Sequence, residues 1–534
     1  MIINKKSSFN NYFPKIFFSL SVLFLLFIGS YLRLYKIFDY PPSIFIDEYN
    51  LGLNALDIYT NKSFVPFFGI GWYGTPAAYL YYILVIFKLV GPGIIALKIA
   101  WIIPSILTLL FVFILSKVIF NKTVAFYSLI FIVFSPLHIH LSLWAHGAIT
   151  IPLFLLISIY FYWLFKEKNK VLFMLFSAVS LSFAILTYVG GRVFILFFLL
   201  VTFTDLLILV IQKKFKYRKL LIYLLFWVTL LVVLSPFIFY GIKHPGDFWG
   251  RSKDIFIFST KDSLKENLFV LFDNIKKYFL MLIYYPDPNP RHTPFPLTSV
   301  FNPFIVFLFF SGLFFLILKK KIKELILFIL WIFTIVAGGV VTEKNAAPSI
   351  FRTASIIPLY YMIASYSLFE FKNIINKIFN FKKELIINII FAFFVIAFSI
   401  ANSYKYFLLL NDRKNINFLL TPFTKTENMV AEIAYSNYPT KKIYLTDDFY
   451  WFSSTQFIVR ARSGRNNYPY WIFPRDDLNK IQFDELKPIL LIMEPKYQYL
   501  IEKMGKFFVI NKINYIKNSD GLLIIITVEI NKLI

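Results

Sequence analysis

Asp47 and Glu48 stand together shortly after the first apolar run, in Arg33-Leu34-Tyr35 … Pro41-Pro42-Ser43-Ile44-Phe45-Ile46-Asp47-Glu48-Tyr49. A carboxylate pair beside a bilayer, in a chain otherwise short of acid, has a chemical use. It can accept the proton of a hydroxyl while that hydroxyl attacks a group carried on phosphate. Such a transfer also needs donors or positive charge for the departing phosphate. Asp47 precedes an amphipathic stretch, Leu51–Tyr59, at the place of an N-cap, where a carboxylate complements the helix dipole. Capping alone would account for Asp47, and capping and proton acceptance are compatible.

Arginines between apolar runs are the candidates for the phosphate. Arg192 closes the turn Thr187-Tyr188-Val189-Gly190-Gly191-Arg192, and Arg352 follows Pro348-Ser349-Ile350-Phe351. Arg291 and His292 sit in the stiff run Tyr285-Pro286-Asp287-Pro288-Asn289-Pro290-Arg291-His292-Thr293-Pro294. The guanidinium fork suits bidentate phosphate contact. The bland alternative is an anchor to lipid headgroups, but an anchor needs no proline-stiffened loop. His138 and His140 lie in Ser135-Pro136-Leu137-His138-Ile139-His140, with His146 in the same outer turn. An i, i+2 pair on a helix faces two directions, so metal binding is not expected of them. Polarity at the interface or contact with an acceptor is. Asp205 lies inside an apolar run and is costly there unless paired or wetted, so it is assigned a packing or pairing role.

Elements must hold these residues at one boundary, and composition says which kind. The chain of 534 residues is 58% hydrophobic and 16% charged, with a mean hydropathy of +0.68. Apolar runs of about 18 residues or more recur, each long enough to span a bilayer. The class is a polytopic α-helical membrane protein. A net charge of +26 is explained by lysines in short loops between the runs, and no basic stripe marks nucleic-acid binding. Cysteine is absent, which excludes disulfides, thiolate metal sites and thiol nucleophiles.

Alternating lysine-rich and lysine-poor loops set the path. Spans are expected at about 16–37, 94–118, 123–142, 149–165, 171–187 and 193–212. Further ones are expected at about 220–240, 300–318, 324–340, 354–370 and 385–403, about eleven in all. Lysine clusters near 117–122, 166–170, 213–219, 319–323 and 372–383 mark inner loops, ending with Lys382 and Lys383. The N-terminus is then cytoplasmic, and the C-terminus lies outside a cytoplasmic membrane that the chain crosses many times. Thr75–Val90 is too short for a comfortable span and reads as a juxtamembrane helix. Residues 1–403 form the membrane domain. From 404 to 534, β-like runs at Lys442, Ile489 and Leu522 alternate with helical ones such as Thr426–Tyr435. They read as a small extracytoplasmic α/β domain.

Five pieces in order resemble the protein O-mannosyltransferase-like branch (family 39) of the GT-C glycosyltransferases. They are Arg33-Leu34 with Pro41-Pro42 and Asp47-Glu48, Ser135–His140, Thr187–Arg192, Asp287–His292, and Pro348 with Arg352. The resemblance covers about residues 30–365 and implies a GT-C-like fold. It also implies a polyprenyl-phosphate-linked sugar donor, an inverting transfer, Asp47 as base, and donor phosphate on the basic loop residues. Two departures stand out. Relatives carry Ser-Arg and then a Glu where Leu143 and Gly147 stand here. Aminoarabinose-transferring relatives carry a basic residue where Gly74-Thr75 precede Pro76, which points to an altered acceptor site.

The leading expectation is transfer of a mannose-like hexose from polyprenyl phosphate to a hydroxyl on protein or envelope glycan. Asp47 would be the base and Glu48 its support, with Arg192, Arg291, His292 and Arg352 on the phosphate. No cofactor is required, although Asp47-Glu48 could bind a divalent cation. Partners are the lipid-linked sugar, the acceptor and membrane lipids, with no nucleic acid. The alternative is a lipid-linked saccharide transporter or flippase, which would place charges along a path at the bilayer midplane. It would also favour internal repeats, and none is seen. Single cysteines placed one per loop test the topology with an impermeant thiol reagent. Residues 213–219 should stay unlabelled from outside while the C-terminal domain labels, and the reverse pattern would overturn the path.

Overall fold

The computed structural model describes residues 6–38, 44–144, 147–259, 262–295, 298–341, 347–379, 384–411 and 422–464. It also describes residues 471–473, 478, 481–482, 487–518 and 520–533. Pro41, Pro42, His146, Lys382 and Lys383 lie outside these. The chain forms two compact units. The first comprises residues 1–37, 66–79 and 98–415, and the second residues 38–65, 80–97 and 416–534. The expected division after residue 403 is therefore replaced by a discontinuous one, in which part of the first loop belongs with the C-terminal residues.

Helices α1 (Lys6–Leu34), α4 (Ile94–Ile119), α7 (Thr150–Lys168), α9 (Val193–Ile211) and α10 (Tyr217–Lys243) each contain a run long and apolar enough to cross a membrane. So do α14 (Ile322–Val340) and α16 (Glu384–Asn411), which makes seven such helices among the described residues. The pair α5 (Lys122–Val133) and α6 (Pro136–Trp144) would make an eighth if counted as one span bent by 54°. All eleven expected segments are helical, but not all are of spanning quality. Helices α8 (Val171–Thr187) and α13 (Pro303–Leu318) are apolar and short, with 17 and 16 residues. Helix α15 (Ile356–Phe379) is long but carries tyrosines and serines. It packs against α5, α7, α13, α14 and α16, and residues 356–368 are buried throughout. A helix ringed by other helices need not be apolar toward lipid, so hydropathy understates it. Helix α3 (Ala77–Val90) has 14 residues, in keeping with a juxtamembrane element.

One break in the first unit is explained atom by atom. Pro136 has no N–H, so the carbonyl of Ile132 loses its i+4 donor and keeps only the Ser135 N–H, at 3.3 Å, from the local backbone. Arg33, fully buried, supplies the substitute. Its Nη2 donates to Ile132 O at 3.1 Å and its Nη1 to Val133 O at 3.3 Å. Nη1 also donates to Gly29 O at 2.8 Å, and Nε donates to Ser105 Oγ at 2.9 Å. Nη2 further donates to His138 Nδ1 at 2.7 Å, so His138 carries its proton on Nε2. Ser135 restarts the helix, its Oγ accepting from His138 N at 3.1 Å with Pro136 at the first helical position. Ser403 donates to the exposed carbonyl of Phe134 at 2.5 Å. Asp205 is paired as expected. Lys166 Nζ stands 2.7 Å from it, the Tyr162 hydroxyl donates to it, and the Tyr223 hydroxyl does so at 3.4 Å.

The residues expected to form a long outer loop, 241–299, hold helices α11 (Pro245–Ile255) and α12 (Leu264–Met281). Ser263 and Glu266 cap α12 reciprocally, with Ser263 N–H donating to Glu266 Oε2 at 2.8 Å.

The second unit is built on a five-stranded sheet of order β2-β1-β3-β5-β4. Its strands are β1 (Lys442–Leu445), β2 (Trp471–Ile472), β3 (Ile489–Met493), β4 (Phe508–Lys517) and β5 (Leu523–Leu533). Strands β2, β1 and β3 run parallel, while β5 joins β3 and β4 antiparallel. Every residue of β3 is buried, because apolar clusters cover both faces of the sheet. The first-loop helix α2 (Ile46–Tyr59) packs on α19 (Ser453–Ser463) within this unit. A Cβ on Gly52 would lie 2.8 Å from the Phe457 ring, so only glycine admits that approach. Asp57 Oδ1 accepts from Arg460 Nη2 at 2.5 Å.

Arg33→Met should lower the unfolding midpoint of the detergent-solubilised protein markedly. It strands several buried acceptors, at about 1–3 kcal/mol each. Arg33→Lys should recover only part, because an ammonium cannot fork. Near-wild-type melting of Arg33→Met would show that the fork holds nothing together.

Candidate functional site

In the second unit, Asp47 is not the N-cap of α2. The helix begins one residue earlier, at Ile46, after Phe45 in an extended conformation. Phe45 has no side-chain acceptor, and the cap comes instead from Glu48, whose Oε2 accepts the Phe45 N–H. Glu48 is fully buried and Asp47 is half-buried. The expected roles therefore separate: Glu48 closes the helix end, and Asp47 lies inside the first turn and is not its N-cap. The next residue, Tyr49, is also buried, its hydroxyl donating to Asn428 Oδ1 at 2.5 Å, and burial raises the phenol above its ordinary pKa.

In the first unit, Arg192 and Arg352 line one cavity of about 310 Å³, together with Tyr188, Trp249, Arg251 and Ser355. Gly191 makes the turn into Arg192 by close approach, since a Cβ there would lie 2.0 Å from Ala184 O. Arg192 lies 4.0 Å over the Phe248 ring, and its Nη1 donates to Phe248 O at 3.0 Å. Its Nε and Nη2, and Nη1 of Arg352, are buried and donate to no described residue. Stranded guanidinium donors on two walls of one cavity are a demand for an anion.

Arg251 is the residue that the sequence reading missed. Its guanidinium lies 4.1 Å over the Tyr73 ring and donates to the Tyr73 hydroxyl. Tyr73 and Gly74 both have positive φ, 51° and 78°, and a Cβ on Gly74 would meet Arg251 Cβ at 2.5 Å. Where Gly74-Thr75 lack a basic side chain, α11 thus brings one over the same turn. The signal available in the sequence was an arginine among the aromatics of Phe248-Trp249-Gly250-Arg251.

Asp287 organises the proline-rich run. Almost fully buried, its carboxylate accepts from Asn289 N at 2.8 Å and from Ile350 N at 2.8 Å, and it stands 3.0 Å from His292 Nδ1. His292 stacks on Phe351 with centroids 5.2 Å apart, and Phe351 meets Tyr188 of the cavity edge on, 6.5 Å away. His292 thus sits one ring behind the cavity that Arg352 lines. Arg291 does not line that cavity; its carbonyl accepts the His140 Nε2–H at 2.7 Å. His138 and His140 are buried, and their observed contacts tie helices together instead of facing an interface.

No protein-family model and no curated protein matches the chain. Solved structures do. ArnT from Cupriavidus metallidurans bound to undecaprenyl phosphate superposes with a TM-score of 0.53 at 12% identity, covering 96% of this chain and 97% of that one. The Archaeoglobus fulgidus oligosaccharyltransferase in the apo form gives 0.52 at 11% identity, covering 96% and 74%. Both are GT-C glycosyltransferases. This chain has the GT-C fold. The ordered motif pieces thus sit on the architecture that their resemblance implied, and several of them take part in hydrogen bonds to backbone groups. Asp47→Asn should melt within about 0.5 kcal/mol of wild type, whereas Glu48→Ala should lose about 1 kcal/mol or more with its cap. Thermal unfolding of the two variants side by side checks the assignment, and the opposite ranking would return the cap to Asp47.

Proposed function

We propose that this GT-C chain is a membrane glycosyltransferase. In this reading it moves a mannose-like hexose from a polyprenyl phosphate to a hydroxyl on a protein or envelope glycan. The observation that carries the reading is the set of stranded guanidinium donors on Arg192 and Arg352, which line one cavity. Buried donors without acceptors cost stability, and a donor phosphate would satisfy them while they neutralise the charge that it gains on departure. Arg251 adds a third guanidinium. Arg291 and His292 are held in place by Asp287 and the surrounding prolines. The likeness to a structure containing undecaprenyl phosphate supports a lipid-linked donor.

Asp47 is the proposed base. The acceptor hydroxyl attacks the anomeric carbon, the bond from that carbon to the phosphate oxygen breaks with its electron pair going to phosphate, and Asp47 takes the hydroxyl proton. Attack opposite the leaving group inverts the anomeric centre. Glu48 supports the base by fixing the first turn of its helix.

Purified protein assayed with a panel of polyprenyl-phosphate sugars tests the reaction. Asp47→Asn should leave donor binding intact and lower turnover by about 10²–10⁴. Arg192→Ala or Arg352→Ala should instead weaken donor binding, more so at high salt. Transfer should survive chelation by EDTA if guanidiniums neutralise the phosphate; loss on chelation, restored by magnesium, would mean that Asp47 and Glu48 hold a cation. Wild-type turnover by Asp47→Asn would end the claim for Asp47, and Glu48 would be the next base to examine.

A further inference from the structure

The carboxyl ends of β1 and β3, neighbouring parallel strands, carry a cluster of polar groups that the transfer reaction does not use. Thr446 follows β1, with its N–H donating to Ile492 O of β3 at 3.2 Å. It is fully buried, and its Oγ1 has no hydrogen-bond partner among the described residues. Glu494 follows β3 and is 8% exposed, and neither of its carboxylate oxygens accepts a hydrogen bond from a described residue. Lys496 bridges the rim, in contact with Asp448 and with its Nζ 3.6 Å from Glu494 Oε1. Burial raises the Glu494 carboxyl above its usual range, whereas the Lys496 hydrogen bond holds Asp448 below its own. The Glu494 carboxyl faces Asp448 as well as Lys496, and a carboxyl buried beside a second one, 3.6 Å from its cation, is a cost that core packing alone would have removed.

The segments leaving these two strands also hold Trp451 and Tyr499 out in water, 64% and 67% exposed. Strand order β2-β1-β3 places the β1/β3 ends where chain connections depart to opposite sides, the usual location of ligand crevices in open α/β sheets. A partner for this set must donate to Glu494, accept from Lys496 and Thr446, and offer a face for an aromatic ring. Vicinal sugar hydroxyls both donate and accept, and the C–H face of a sugar ring packs on the electron-rich face of tryptophan or tyrosine. A divalent cation fits less well, because it needs about six oxygens and would meet the Lys496 ammonium in the same place.

We propose that the carboxyl edge of the β1–β3 pair is a binding site for a neutral, hydroxyl-rich oligosaccharide. Glu494 and Asp448 take its hydroxyl protons in hydrogen bonds, Lys496 and Thr446 donate in return, and Trp451 and Tyr499 supply stacking faces. Binding at this edge is independent of the transfer reaction and requires no lipid-linked donor.

The full chain in detergent is tested by saturation-transfer NMR with mannotriose, chitotriose and maltotriose. At least one should receive saturation. Glu494→Gln and Trp451→Ala should each weaken that binding about tenfold or more, while Asp47→Asn leaves it unchanged. Folding is checked by melting. Because the folded carboxyl is raised above the unfolded value of about 4.3, its ionisation opposes folding once pH exceeds that value. Glu494→Gln should therefore melt no lower than wild type at neutral pH. Three results would overturn the proposal. They are no saturation of any probe, equal binding by both edge variants, or a calcium-induced rise in melting temperature that Glu494→Gln abolishes, which would make the edge a cation site.

Discussion

In an apolar medium every backbone polar group must find a partner, and the chain depends most on that requirement where it is hardest to meet. The break at Phe134-Ser135-Pro136 leaves the Val133 and Phe134 carbonyls outside the helical ladder and the Ile132 carbonyl with only the Ser135 N–H, at 3.3 Å, from the local backbone. Arg33 and Ser403, from helices far away in sequence, supply donors to them. Water does not compete for them, because these hydrogen bonds are buried among the packed helices. The guanidinium is suited to this because it has five donors and no acceptor. Its neighbours are carbonyls, a hydroxyl and an imidazole nitrogen, so the charge is spread over dipoles rather than matched by one anion. The bend, the arginine and His138 form one unit, and a change in any of them strands the other two.

The same physics, applied with opposite intent, marks the cavity of Arg192 and Arg352. Arg33 is a buried arginine with its donors occupied; these two are half-buried arginines with buried donors left over. The contrast within one unit separates an arginine whose donors are all engaged from arginines proposed to bind an anion. Around the cavity, stiffness comes from geometry that few residues tolerate. Gly191 permits the turn against Ala184, and Asp287 gathers two backbone N–H groups and His292 from segments that prolines already restrict. A guanidinium held in this way would lose little freedom on binding the proposed phosphate.

In the second unit the acidic pair and the C-terminal residues are parts of one packed body. Tyr49 and Asp57 of α2 are fastened to Asn428 and Arg460, so the helix carrying Asp47 is set by contacts made about 400 residues later. Any function of Asp47 is then sensitive to the integrity of the C-terminal sheet. That gives this domain a part in positioning the proposed base, beside the glycan edge proposed for it.

Much was legible in the sequence because it depends on local composition. Apolar runs reported the helices, an adjacent carboxylate pair after the first apolar run drew attention to Asp47 and Glu48, and β-like runs reported β1, β3 and β5. The ordered motif pieces pointed to the GT-C fold even though no family model matches. Whatever depends on partners far along the chain was not legible. Helix α15 looked like an ordinary span, yet its tyrosines and serines are explained only by the helices around it. Asp47 looked like a cap because it precedes the apolar pattern, but the helix begins earlier and Glu48 reaches back to close it. Arg251 could not be joined to Tyr73 and Gly74 by spacing, since about 180 residues separate them. Nor could sequence decide which arginines keep spare donors, because hydrogen bonds to distant carbonyls are settled only when the helices pack. Composition determined which segments are helices, strands and charged turns, through solvent preference and local conformation. Tertiary packing decided which polar groups are satisfied and which remain able to bind.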